Sequence, residues 1–342
     1  MNQYQHSEYS KQVYYRLIAL WVICEAFAGG IMHAAKLPFT GLVVSSLAIT
    51  CITLIAYYVP SPSAIIKATV IVAIFKLMLS PHSPPTAYLA VLFQGSMGQL
   101  LFSRRRYFES AAVILGFLAL VESAIQRILV LLIFSGTDFW KAVDTFIQKT
   151  TGKKEVTEYS FKLAIGYIII HALMGIFAGI AAARLTKASA GWKNNHPSLI
   201  IDDKKNASTI ITKKDGGRHT LRSVFMIILL VLVALYIQSY LWPVNAIIPK
   251  NIILNILLRS ILVLLVWYLV IGPLVMSLIK RSLKQQQQKY KQEINEVMSL
   301  LPQTKYIFKE SFKLSGSKKG LGRIKLFLKI LLINVLADRN LA

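Results

Sequence analysis

Glu122, Gln126 and Arg127 lie inside one apolar run, ILGFLALVESAIQRILVLLIF. Residues 122 and 126 are i and i+4 and share a helical face, and Arg127, about 140° round from Glu122, can still approach it on its long stem. An acid, an amide and a guanidinium at that depth can hold a polar solute. Glu122 and Arg127 can equally form a buried structural pair, and the sequence leaves both readings open. Three more polar residues interrupt other apolar runs: Glu25, Lys76 and Gln94. A charge near the bilayer centre costs at least ~2.5 kcal/mol, so such residues face protein or a water-filled cavity by default. Lys67 is placed to snorkel from the start of its helix, and Lys76, about 180° round from it, cannot serve the same site as an equal. The candidate solute-binding set is therefore Glu122, Gln126, Arg127, Lys76, Gln94 and Glu25.

Other chemistries lack their residues. There is no nucleophile–base pair and no HExxH, HxxxH or CxxC spacing, so neither a catalytic nor a metal site is expected. His171 falls near the middle of an apolar segment, where a neutral histidine is a satisfied packing residue. SGSKKG lacks the glycine spacing of a phosphate-binding loop, so the chain carries no ATPase of its own and calls for no cofactor. Cys24 and Cys51 both sit in apolar runs and read as small packing residues rather than a disulfide framework.

The elements that must position these residues are membrane helices. The 342 residues are 55% hydrophobic and 16% charged, with a mean hydropathy of +0.55, the balance of an integral membrane protein. A net charge of +24 would suggest nucleic acid in a soluble chain, but here the basic residues flank apolar spans, so nucleic acid is not an expected partner. Continuous apolar runs exclude an alternating β-barrel pattern. The expected fold is an all-α polytopic membrane protein of about eight transmembrane helices, near 13–35, 39–59, 64–80, 85–103, 108–134, 158–184, 220–242 and 253–280. Arg104–Arg106, the basic segment 184–222 and the basic tail place both termini in the cytoplasm, with a loop over 135–157 outside, long enough to lid a pocket. The domains read as a six-helix membrane module (1–186), a basic linker (187–219), two further spans (220–280) and a helical tail (281–342). In that tail GRIKLFLKILLINVL is basic and apolar, as for a helix on the membrane surface or in a partner's groove. No cleavable signal peptide is evident, and a cell or inner membrane location is expected.

Small residues mark close helix approaches. Ala26, Gly30 and Ala34 repeat at four-residue spacing on the first helix, and Gly175, Gly179 and Ala183 do so on the sixth. The former suits association with a partner or packing on the next span. Together with KLPFTGLVVSSLA and SPHSPPTAYLAVLFQGSMGQLLF, the first helix makes residues 1–185 resemble, in architecture, the substrate-binding S components of energy-coupling factor transporters. That resemblance implies a six-helix module capturing a vitamin-like or metal solute, whose Ala26, Gly30 and Ala34 face meets a scaffold subunit coupled to two ATPases. The Met-His metal hook of cobalt and nickel members is absent, since position 2 is Asn2. The last 120 or so residues look like part of a T-component scaffold, in which Arg323 of GLGRIK is the nearest approach to the Ala-Arg-Gly coupling motif.

These readings lead to the expectation of a non-enzymatic transport subunit that captures a small solute and works with a scaffold subunit and cytoplasmic ATPases in the lipid bilayer. The rivals are a non-transporting scaffold recruiting partners or anionic lipid through its basic tail, and a membrane enzyme using Glu25 or Glu122.

Overall fold

The computed structural model describes residues 3–28, 40–80, 83–104, 107–151, 158–201, 237–238, 240–241 and 250–337. Among them every regular element is helical. The α-helices are α1 (Gln3–Ile23), α2 (Thr40–Tyr58), α3 (Ala64–Leu79), α4 (Pro85–Leu101), α5 (Phe108–Thr151), α6 (Tyr159–Asn195), α7 (Lys250–Val266), α8 (Gly272–Lys289), α9 (Lys291–Leu314) and α10 (Gly320–Leu336). A π-turn, Cys24–Ala28, continues α1, and another, Trp267–Ile271, joins α7 to α8.

Among the described residues four stretches are long and apolar enough to cross a membrane: Thr40–Tyr58, Phe108–Thr151, Tyr159–Trp192 and Ile253–Lys289. None of the most apolar window of Ile253–Lys289 is buried within the protein, so its surface calls for lipid, whereas half of that in Thr40–Tyr58 is covered by neighbouring helices. The expected pair 64–80 and 85–103 forms as α3 and α4, but at about 24 to 26 Å each helix falls short of a ~30 Å hydrocarbon core. Pro84, in extended conformation, and Pro85 at the first helical position set the start of α4. The expected span near 220–242 lies almost wholly outside the described residues.

Two expectations are corrected. Residues 137–151, read as part of an external loop, continue α5 as helix after a break at Gly136, whose φ of 69° interrupts the ladder. Their charges hid a helical repeat: Phe139, Ala142 and Phe146 recur at i, i+3 and i+7. The second correction concerns α10. Its second half, Ile330–Leu336, is almost fully buried inside the protein rather than laid on a membrane surface, because that half carries no charge and α1 and α9 cover it.

The described chain gathers into two compact units: residues 1–120, 173–212 and 279–342 form the first, and residues 121–172 and 213–278 the second. In the first unit α1 is the core. Leu17–Ile23 are at most 3% exposed, surrounded by α2, α3, α9 and α10, as befits a segment apolar on every face. Here too, the segment 112–117 of α5 meets Gly175 and Gly179 of α6 backbone to backbone, the approach the small-residue spacing predicts. The exposed Lys187 and Glu109 pair across the same two helices.

A strap of residues 196–201 follows α6 and is pinned to α10 by Asn334, which is fully buried. The Asn334 Oδ1 accepts from the Ile201 N–H at 2.8 Å, and its Nδ2 donates to the carbonyls of Leu199 at 2.9 Å and Ile330 at 2.8 Å. Replacing Asn334 by Leu strands a buried donor and an acceptor, at roughly 1–3 kcal/mol each. Asn334→Leu is therefore expected to lower hydrogen-exchange protection of the Ile201 amide at least tenfold. Unchanged protection would mean that the strap is held by other contacts.

In the second unit the helix break at Gly136 is filled from α7. A side chain at position 136 would collide with the Arg259 guanidinium, and the Ser260 hydroxyl donates to the Phe134 carbonyl at 3.2 Å, next to the break. A polar group satisfying backbone near a break is what a kinked membrane helix requires. The Asp144 carboxylate accepts from the Ser160 N–H at 2.7 Å and from its hydroxyl at 2.9 Å, an anion placed at the N-terminus of α6.

Candidate functional site

The polar residues of the first unit converge in pairs. Glu25 is carried on the π-turn that ends α1, and Lys76 on the last turn of α3. The Lys76 Nζ donates to the Glu25 Oε2 at 2.6 Å, with side-chain exposures of 9% and 3%. Such burial makes each charge depend on the other, since removing either leaves the remaining one unpaired in a poorly solvated site. Lys76 thus reaches a carboxylate inside the protein, while Lys67, on the other side of α3, is half-buried.

Gln94 projects from the middle of α4 and is 2% exposed. Its Nε2 donates to the Ser45 hydroxyl of α2 at 3.0 Å, while its Oε1, buried, accepts from none of the described residues. Two further buried polar atoms of this unit, the Tyr88 hydroxyl on α4 and the Trp21 Nε1 on α1, are likewise without a partner among the described residues. Buried polar atoms are normally bonded, and orphans of this kind mark places where water or a bound molecule completes the valence. Gln99 has a different task. Its Oε1 accepts from the Ile66 N–H at 3.1 Å and its Nε2 donates to the Pro62 carbonyl at 2.6 Å, which caps the start of α3.

Glu122, Gln126 and Arg127 belong to the second unit. Glu122 and Gln126 are half-buried and Arg127 is exposed. The Glu122 Oε2 is itself buried and accepts no hydrogen bond from the described residues. The triad therefore retains an acceptor available to a donor, but the loop expected to cover it is helix over 137–151.

Of the expected partner surface, Ala26 is half-buried in the π-turn, and Gly30 and Ala34 lie outside the described residues. Arg323 sits at the start of α10 with its guanidinium 4.5 Å from the centre of the Phe312 ring. His171 is the satisfied residue expected: its Nδ1 donates to the Tyr167 carbonyl at 2.9 Å and its ring lies against that tyrosine. No group of three or more His, Cys, Asp or Glu side chains suited to a metal occurs among the described residues. Cys24 and Cys51 are both buried free thiols. A cavity of about 360 Å³ opens between the strap and helices α9 and α10, bordered by Tyr306, Glu310, Ser317 and Leu326, and none of the candidate solute residues lines it.

Sequence reasoning found Glu25, Lys76 and Gln94 individually but missed their partners. Ser45 is one serine in a serine- and threonine-containing apolar helix, and nothing in its spacing singles it out. Asn334 carries a readable signal: a lone amide in ILLINVL has to be bonded. Neither a known protein family, nor a curated protein, nor a solved structure matches the chain.

Proposed function

We propose that the chain is the solute-capturing membrane subunit of an energy-coupling-factor-like transporter, with about eight spans, both termini in the cytoplasm and separate ATPases as partners. The observation that carries this reading is Gln94. Its amide is held by Ser45 so that the carbonyl oxygen is buried among apolar helices and bonded to none of the described residues. A preorganised acceptor in such surroundings suits a small solute bearing an N–H or O–H donor, and most of the affinity then comes from apolar enclosure. The buried Glu25–Lys76 pair supports the reading as a fixed dipole that orients a polar solute without adding net charge. The triad at 122–127 supplies a second candidate acceptor in Glu122.

The test is untargeted mass spectrometry of small molecules extracted from the purified protein, comparing wild type with Gln94→Leu and Gln126→Leu. Gln94→Leu keeps its shape and strands little, because the Ser45 hydroxyl can turn back to a carbonyl of its own helix. A compound enriched in the wild type should fall at least tenfold in Gln94→Leu protein that remains folded. Equal recovery from all three proteins would remove both glutamines from solute contact.

The proposed topology follows the distribution of Lys and Arg. Single cysteines at Thr150 and Ser317, both exposed, can be labelled while Cys24 and Cys51 stay shielded by burial. An impermeant thiol reagent applied to intact cells is expected to label Thr150→Cys and spare Ser317→Cys. The opposite pattern would invert the topology.

A further inference from the structure

The turn between α9 and α10 combines exposed apolar side chains with unbalanced positive charge, and the solute reading makes no use of it. Phe312, Leu314, Leu321 and Ile324 are 54%, 46%, 84% and 55% exposed. Around them stand Lys309, Lys313, Lys318, Lys319, Arg323 and Lys325, against a single acid, Glu310, which pairs with Lys313 at 3.5 Å. The backbone fixes their presentation. Lys318 and Lys319 are extended, with ψ of 161° and 160°, and Gly320 follows at φ 56°, a left-handed conformation that turns the chain directly into α10. Arg323 lies against the exposed Phe312 ring, so a cation and an aromatic ring are held together at the surface. Further along α10 exposure ends, and from Ile330 onward the helix is buried, so the tip is a projecting end on an anchored helix.

We infer that this turn docks on an anionic bilayer surface, its lysines against lipid phosphates and Leu321, Ile324 and Phe312 in the headgroup–acyl boundary. Charge decides the occupant. A neutral protein groove would explain the apolar residues but not the excess of cations around them. An anionic leaflet takes both at once, with each lysine near the surface contributing about a fivefold change in the docking equilibrium. This inference does not depend on solute binding.

The experiment uses the full chain carrying Leu321→Cys, labelled with an environment-sensitive fluorophore and reconstituted in nanodiscs of phosphatidylcholine alone or with one third phosphatidylglycerol. In the anionic discs the emission should rise at least twofold and shift to the blue. It should be quenched by spin-labelled lipid and revert in high salt. Adding Lys318→Gln and Lys319→Gln should weaken docking roughly 30-fold while the unfolding temperature stays within a degree or two, since both lysines are exposed. Emission that is the same in both lipids would overturn the inference. So would a lipid response indifferent to the two lysines, or a probe that leaves water only when a cytoplasmic protein is added.

Discussion

Lys76→Met is expected to destabilise the protein by about 3–5 kcal/mol, on the order of 10 °C in unfolding midpoint, although the methionine fills nearly the same space. The reason is what remains: the Glu25 carboxylate, at 3% exposure, is left in an apolar bundle without its counter-charge. Glu25→Gln should be costly for the converse reason, leaving the Lys76 ammonium stranded. The double variant Glu25→Gln/Lys76→Met removes both charges together and should be markedly more stable than the sum of the single losses predicts. Thermal unfolding in detergent, followed by tryptophan fluorescence, gives all three values. Additive losses, or single losses under 1 kcal/mol, would mean that the two side chains are solvated independently and do not act as one buried unit.

A comparable loss is expected from Gly116→Val or Gly175→Val, and this one is steric. A Cβ at Gly116 would stand 2.2 Å from the Gly175 carbonyl oxygen and 2.9 Å from the Gly179 nitrogen, and one at Gly175 would stand 2.4 Å from the Gly116 oxygen. The obstructing atoms are backbone on both sides, so no rotamer change relieves the clash and the two helices have to separate. Overpacking costs 1–3 kcal/mol where side chains can shift, and more where only backbone can. Even alanine should lower folded yield at these positions. Gly166 on α6 is the control, since nothing lies within 4 Å of a Cβ built there and Gly166→Ala should be neutral or slightly stabilising. Detergent-resistant monodisperse yield on size exclusion reads both. A Gly116→Val protein as well behaved as Gly166→Ala would refute the close approach.

The glycine seam was legible because small residues at four-residue spacing have few other uses in an apolar helix. The α3–α4 hairpin was legible for a related reason, since prolines fix where the helices stop and start. What stayed hidden depends on long-range geometry. Glu25 and Lys76 are each visible as costly residues, but they are 51 positions apart and no local pattern pairs an acid on one helix with a base on another. The helix over 137–151 was obscured because Lys141, Asp144 and Lys149 depress hydropathy, and a hydropathy reading is blind to a helix that alternates charge with Phe139, Ala142 and Phe146. Burial of α10 was hidden by composition of the opposite kind. GRIKLFLKILLINVL looks membrane-seeking when averaged, yet its lysines and Arg323 fall in the first half and its core residues in the second. Asn334 was the readable clue, because a lone amide among branched aliphatics requires fixed partners that a lipid surface cannot supply.

The most direct measurement of the central claim is native mass spectrometry of the chain released gently from the membrane of its own cells with its partners attached. A solute-capturing subunit that depends on separate ATPases should appear as an assembly containing cytoplasmic ATPase subunits. A small-molecule adduct should persist on the chain after those subunits dissociate, and it should be absent from Gln94→Leu chains of unchanged assembly. A chain that carries neither an adduct nor ATPases, from cells in which it is folded and abundant, would contradict the account.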